Sequence, residues 1–360
     1  MRPAREAGFS LIEMLVATAI LASAFVVLFQ LAANGQRVAR AQPDAADLRQ
    51  RLRVAADMIQ RDLLMAGAGL VHGADAGPLV NYLPAVLPMR TGARKADPEL
   101  SFFDDRVSIL YVEAGAASAP LTFNMPTSAS DVPVDGSARG CPSAGICGFE
   151  DGTRSLIVDM SGPGFGFDVF SVTGTAAGLA HGPPDPDLSR AYPAAGTRVT
   201  PVRQRVYYLD APAKRLMLYD GYQSDVPLVD NIVALKFEYF VDPRASSVPR
   251  PPDGEGNCLY TAATPPTPIL TDLGGPALSG AGAAILTDGP VCGLAPNQFD
   301  GDLLRIRRIR VTIRAQVADR ALRGSGADFA TPGVSTGGPN AVPDLEMTFD
   351  VTPRNLDTTK

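Results

Sequence analysis

The sequence predicts an α+β protein: a long N-terminal helix, half membrane-grade and half amphipathic, packed on an antiparallel β-sheet with long loops. Three observations predict it. No residue from Met14 to Gln36 is charged, and Met14 to Phe29 is apolar apart from Thr18 and Ser23. Downstream, Leu48, Leu52, Ala55, Ile59 and Leu63 recur at spacings of three and four, the signature of one apolar helix face. Beyond residue 100, apolar positions alternate with period two in short runs separated by Gly- and Pro-rich segments, as in half-buried strands.

About 20 residues at a rise of ~1.5 Å cross the hydrocarbon core of a bilayer, and the apolar run is long enough. Pro43 is expected to kink or break the helix. From Asp44 to Ala66 the pattern is again strongly helical, with Arg49, Arg53, Asp57, Gln60 and Arg61 filling the polar side. Gly67 and Gly69 stop it.

Strands follow. Arg106 to Val112, Ser155 to Met160 and Asp168 to Thr173 are the first. Residues 115–152 read as an insertion on a sheet edge, and 174–196 as a second loop. Arg205 to Leu209 and Arg215 to Tyr219 form a hairpin across Asp210-Ala211-Pro212-Ala213-Lys214. Ile232 to Val241 is the cleanest strand: Val233, Leu235, Phe237, Tyr239 and Val241 share one face, with Lys236 and Glu238 opposite. A long Pro/Gly-rich loop occupies 242–300. In Leu303 to Val317 the apolar phase flips at Arg307-Arg308, which predicts a β-bulge. Leu345, Met347, Phe349 and Val351 alternate in a last strand. Helix first and strands after give the α+β class.

The chain has 360 residues, 46% apolar, with 35 Gly and 32 Pro, so a core is affordable and long irregular loops are expected. Its net charge is −6, and the first eight residues contribute +1 (Arg2 and Arg5 against Glu6), leaving −7 without them. Such a chain is not an obvious nucleic-acid binder. The four cysteines are Cys141, Cys147, Cys258 and Cys292. In an exported domain they are expected as disulfides. Three pairings are possible, and Cys141–Cys147 with Cys258–Cys292 is favoured because each pair brackets a Gly/Pro-containing loop. Zinc is the competing use, and the spacing lacks CxxC and nearby histidines.

The start of the chain is the most telling segment. Gly8-Phe9-Ser10-Leu11-Ile12-Glu13 leads directly into the apolar run. A secretory signal peptide is cut after its apolar segment. Here the small residue, Gly8, lies before it, so a cut there leaves the helix on the mature chain. The basic leader stays in the cytoplasm and the remainder is exported, by the positive-inside bias. Glu13 is the anomaly, because an acid central in a membrane helix costs about 2.5–3.5 kcal/mol on insertion scales, less near the interface. Buried acids are tolerated when paired. A cut after Gly8 frees the amine of Phe9 and makes Glu13 the fifth residue. That amine reaches the carboxylate of a neighbour displaced along a helical stack more readily than its own.

These residues resemble the processing site of type IV pilins and pseudopilins. The resemblance implies that a prepilin peptidase cuts after Gly8, that Phe9 is methylated, and that Glu13 sets the register between subunits. Arg61-Asp62-Leu63-Leu64-Met65-Ala66-Gly67 and Val226-Pro227-Leu228-Val229-Asp230-Asn231-Ile232 resemble PilW-type minor pilins, as does the closing Arg354-Asn355-Leu356. On that resemblance the organisation is a leader (1–8), a transmembrane assembly helix (9–36), its amphipathic half (37–70) and an exported β-rich domain (71–360) with insertions near 115–152 and 242–300. The implied function is a minor pilin in a tip complex, assembled with other minor and major pilins through the inner-membrane assembly platform. A J-type pseudopilin of type II secretion, or a tip-displayed adhesin or DNA-binding module working through the two loops, are the alternatives.

No catalytic constellation is present. His72 and His181 have no second His or Cys at metal spacing. Ser161 to Gly166 is Gly-rich but lacks the Lys and Ser/Thr of a phosphate loop, and no GxSxG occurs. No cofactor and no metal are expected as the main reading. Two minor expectations remain. Arg308, Arg310 and Arg314 project from one strand face, read as a solvated face rather than a DNA contact. Asp300 and Asp302, with Asp253 and Glu255 of the same loop, are a calcium alternative without EF-hand spacing.

Overall fold

The computed structural model describes residues 10–69, 83–138, 140–141, 146–160, 166–248, 250–319, 322–323 and 342–356, with backbone alone for 33–41. Gly8, Phe9, His72 and most of the Ser161–Gly166 segment therefore lie outside the described residues. The chain divides into two compact units, Met1–Gln50 with Gln316–Leu345, and Arg51–Ala315 with Glu346–Lys360.

Helix α1 runs from Leu11 to Met65 without interruption, so Pro43 lies inside it and does not end it. A proline removes one N–H and one i→i−4 bond, a cost that a helix 55 residues long absorbs from its neighbours. The stripe Leu48, Leu52, Ala55, Ile59 and Leu63 is buried along its whole length. Gly67 and Gly69 adopt φ of 75° and 64°, the left-handed conformation that terminates a helix at least cost in a residue without a Cβ.

Among the described residues fifteen strands follow: β1 (Val86–Leu87), β2 (Arg106–Tyr111), β3 (Ala119–Pro120), β4 (Arg154–Asp159), β5 (Gly166–Ser171), β6 (Thr197–Pro201), β7 (Arg203–Asp210), β8 (Arg215–Tyr219), β9 (Asp225–Asp230), β10 (Ile232–Val241), β11 (Ser279–Ala281), β12 (Val291–Cys292), β13 (Phe299–Asp300), β14 (Ile306–Ala315) and β15 (Leu345–Val351). A four-residue helix, α2 (Ala283–Leu286), precedes β12. They form sheets ordered β1-β2-β7-β8-β9, β11-β10-β14-β15 and β3-β6-β4-β5, with β12-β13 a small pair.

The second half of α1 meets the first sheet. Val107 lies opposite Tyr207 and Ile109 opposite Arg205, so Val107, Ile109, Tyr111, Arg205 and Tyr207 share a face by strand alternation. Asp62 of the helix answers that face: Tyr207 Oη donates to Oδ2 at 2.6 Å, Tyr111 Oη to Oδ1 at 3.4 Å, and the Arg205 guanidinium stands 3.9 Å away. Burial and the neighbouring carboxylate push the Tyr207 hydroxyl well above its usual range, which keeps it a donor. Backbone bonds then stitch the helix end to the sheet, Gly67 N–H to Leu110 O at 2.9 Å and Val112 N–H to Ala68 O at 2.7 Å.

The predicted hairpin forms from β7 and β8, and β10 occupies the predicted span. The predicted bulge is present: Phe240 pairs with Arg308 but Val241 with Ile306, leaving Arg307 as the extra residue. Leu303 and Leu304 differ from expectation. They lie in a 3-10 turn, Gly301–Arg305, capped by Asp300, rather than in the strand. The 115–152 segment also differs. It contributes β3, the edge strand of the β3-β6-β4-β5 sheet, and with β4 to β6 encloses a core of Val132, Phe149, Ile157, Phe170, Tyr192 and Val199, so it is built into that β layer rather than merely appended to it. Strands β6 and β9 were not anticipated. Pro227 sits in β9, an edge strand, where a missing N–H breaks no ladder bond. Within 242–300, β11 returns to pair with β10, so this loop too is partly built into a sheet.

Ile59 is fully buried, whereas Val54 on the same helix is 43% exposed. Ile59→Ala is expected to destabilise the detergent-solubilised protein by about 2–4 kcal/mol, and Val54→Ala by less than about 0.5 kcal/mol. Equal shifts in denaturant midpoint for the two would contradict the packing of this helix half.

Candidate assembly site at the helix N-terminus

The first turn of α1 is a reciprocal hydrogen-bonded box. Ser10 is the N-cap: its carbonyl accepts the first helical bond, from Met14 N–H at 3.2 Å. Its Oγ accepts the Glu13 N–H at 3.2 Å. In return, Glu13 Oε2 accepts the Ser10 N–H at 3.0 Å. A helix leaves its first four N–H groups without partners, and Ser at the cap with Glu three residues on satisfies two of them. The carboxylate is also placed at the positive end of the helix dipole, where a negative charge is stabilised. Ser-x-x-Glu before an apolar run is a cap signal legible in the sequence, and it gives Glu13 a role besides that of an ion-pair partner.

Beyond this box, Leu11–Ala32 is long and apolar enough to cross a membrane, with a mean hydropathy of 2.4 and none of it buried by protein. Leu11, Ile12, Met14, Leu15 and Val16 all expose their side chains. Two of the polar side chains within the span bond their own backbone. Thr18 Oγ1 donates to Met14 O at 2.9 Å, and Ser23 Oγ to Ile20 O at 2.7 Å. Hydroxyls satisfied in this way need no water, as a lipid-facing helix requires.

The other groups singled out in the sequence are engaged structurally. Arg310 pairs with Asp350 at 2.8 Å, and Arg308 stacks 4.2 Å over the ring of Phe240. Arg314 is buried and partnered, so the three do not form a solvated basic face. Asp300 and Asp302 converge with Asp288, ligand oxygens within 4.8 Å of one another, rather than with Asp253 and Glu255. Asp253 is bound instead to Arg250 at 2.6 Å. Asp300 accepts N–H bonds from Asp302 at 2.8 Å and Gly289 at 2.6 Å, while Asp302 is ion-paired with the buried Arg305. Burial pushes the Asp302 carboxyl up to about 6, against the pull of Arg305. His181 Nε2 lies 2.9 Å from Ser130 O and its ring edges onto Phe170, so the histidine is packed into the fold.

A cleft of 220 Å³ is lined by Met89, Asp97, Arg154, Phe167, Asp185 and Phe299. Arg154, Asp185 and Asp97 among its lining residues are engaged structurally. Arg154 Nη1 donates to both oxygens of Asp185, at 2.7 and 2.6 Å, and its Nε to Gln204 at 2.9 Å, joining β4 to β7. Asp97 is held by Arg106 at 3.1 Å.

Disulfides join Cys141 to Cys147 and Cys258 to Cys292. The second closes the long 242–300 segment onto β12.

Residues 3–29 match the family model described as the prokaryotic N-terminal methylation motif. No curated protein sequence is significantly similar to the chain. Among solved structures, a type IV-like pilin from Thermus thermophilus is similar at 14% identity, over 57% of this chain and 86% of that one, with a TM-score of 0.20. That likeness is too slight to carry an argument. The methylation motif runs into an apolar helix, and antiparallel sheets follow it.

The bridges close loops of very different length, with sequence separations of 34 and 6. In the chain-entropy model, replacing Cys258 and Cys292 by Ser costs about 4 kcal/mol, and replacing Cys141 and Cys147 about 2 kcal/mol. Denaturant unfolding of the two variants measures the difference, and the reverse order would contradict it.

Proposed function

We propose that this chain is a minor pilin of a type IV pilus that takes part in filament initiation as a tip-complex subunit. A single observation carries the reading: the methylation motif matched over residues 3–29 contains an acid, Glu13, in the first turn of a membrane-grade helix. In this reading residues 1–8 are a leader, a prepilin peptidase cuts after Gly8, and Phe9 becomes the methylated N-terminus. The helix holds the subunit in the inner membrane with the β-rich domain in the periplasm. On extraction into the filament, the apolar helix exchanges lipid for the helices of other minor and major pilins. The paired disulfides fit an oxidising compartment.

Glu13 gives the reading its physical content. In a bundle of apolar helices its carboxylate needs a cation, and the α-ammonium of a neighbouring subunit is the one each new subunit brings with it. Removing one partner of a buried pair leaves the other uncompensated, at a cost of about 3–5 kcal/mol. Glu13→Ala in the native host is expected to leave export, processing and membrane level unchanged. It should lower the sheared filament fraction by at least about ten-fold, read by immunoblot. Normal filament recovery would overturn the assembly role.

A further inference from the structure

We infer that the cleft between β2, β5 and the 83–99 segment is a binding site for a small organic amine, an apolar ring-sized body with one ammonium group that pairs with Glu99. The site is separate from the helix N-terminus and does not depend on the assembly role.

The cleft has room for such a molecule. Its 220 Å³ exceeds the roughly 150 Å³ of an apolar cavity that takes up benzene, which leaves space for a ring and a short chain. Leu83, Leu87, Met89, Leu110, Phe167 and Phe299 line it and are buried, so its interior is apolar. All of the lining belongs to the Arg51–Ala315 unit. The walls are fixed by the fold. The rings of Phe167 and Phe299 stand 6.2 Å apart, and Phe299 pairs with Cys292, which the disulfide ties to Cys258. Asn297 Nδ2 donates to Asp168 Oδ1 at 2.5 Å, and Gln204 Nε2 donates to Thr91 Oγ1 at 2.8 Å. A preformed apolar cleft loses little conformational freedom when it binds.

Charge selects the ligand. The charged side chains on the lining are Asp97, Glu99, Arg154 and Asp185. Arg154 and Asp185 answer each other, and Asp97 is held by Arg106. Of the four, Glu99 alone has neither a hydrogen bond nor an ion pair among the described residues. It is half-buried, so its carboxylate stands partly withdrawn from water beside apolar walls. That environment strengthens its attraction for a cation and disfavours an anion. The backbone around it is set in an unusual way. Lys95 and Leu100, at φ of 51° and 59°, bracket the stretch from Ala96 to Glu99. Such conformations are uncommon for residues with a Cβ, and they cluster at ligand sites. Two backbone bonds hold the segment, Asp97 N–H to Arg90 O at 2.8 Å and Phe103 N–H to Pro88 O at 2.7 Å.

Phenethylamine is the probe, and 2-phenylethanol is its uncharged counterpart of the same size. Each is titrated against the full chain in a maltoside detergent at neutral pH, followed by ligand-detected NMR. The amine should bind with a dissociation constant of about 1 mM or tighter, and the alcohol about ten-fold more weakly. Glu99→Gln should weaken the amine about ten-fold and leave the alcohol unchanged, so that the two bind this variant alike. Val169→Phe enlarges a half-buried lining residue of β5 and should abolish binding of both. Absence of amine binding, an alcohol that binds the unaltered chain as well as the amine, or a preference for the amine that survives Glu99→Gln overturns the inference. Undiminished amine binding by a folded Val169→Phe variant overturns it too. If that variant does not fold, Glu99→Gln decides alone.

Discussion

A carboxylate in the opening turn of a membrane-grade helix has to be answered by donors, and the organisation of the N-terminus follows from how that is done. Within the chain the answer comes from the helix itself. Glu13 and Ser10 satisfy each other's backbone N–H groups, and the dipole of the aligned peptide units favours negative charge at that end. The acid is tolerable in a single chain on these terms. Hydrogen bonds from neutral amides do not neutralise a charge, however, and that residual need gives the acid a preference for a cationic partner.

The same helix is two materials in one rod. Leu11–Ala32 presents apolar side chains on every side, whereas the stretch beyond residue 44 buries a single stripe. A continuous backbone through Pro43 joins them. Asp62 plays in the second half a role parallel to that of Glu13 in the first. It is an acid on a largely apolar interface, held by the hydroxyls of Tyr207 and Tyr111 with Arg205 close by. Here the sheet supplies the donors, so the acid fixes the helix against the sheet. Arg154 with Asp185, and Arg305 with Asp302, repeat the pattern deeper in the β layers. Such pairs contribute little net stability, because desolvation offsets most of their attraction. Each does bind together segments distant in sequence or tighten a turn.

The sequence was most legible where one period dominates. The stripe from Leu48 to Leu63, the hairpin at Asp210 to Lys214, the strand Ile232–Val241 and the bulge at Arg307 are all local patterns. The 115–152 segment was read as an edge excursion because β3 is two residues long and its core partners lie elsewhere in the chain. No window of sequence displays that core. Strand β9 contains Pro227, which in sequence alone argues against a strand and which its edge position accommodates. The acidic cluster shows the same limit, since Asp300 and Asp302 are separated by one residue, Gly301, but Asp288 reaches them only through the fold. At the N-terminus the order is reversed. The motif, the acid and the apolar run stand in sequence, and the structure adds the bond from Ser10.

The N-terminus of the mature protein decides between a processed subunit and a simple membrane anchor. Intact-mass and terminal-sequence analysis of the protein purified from its host's membranes should find a chain that starts at Phe9 and is heavier by one methyl group. A functional protein still starting at Met1 would contradict it.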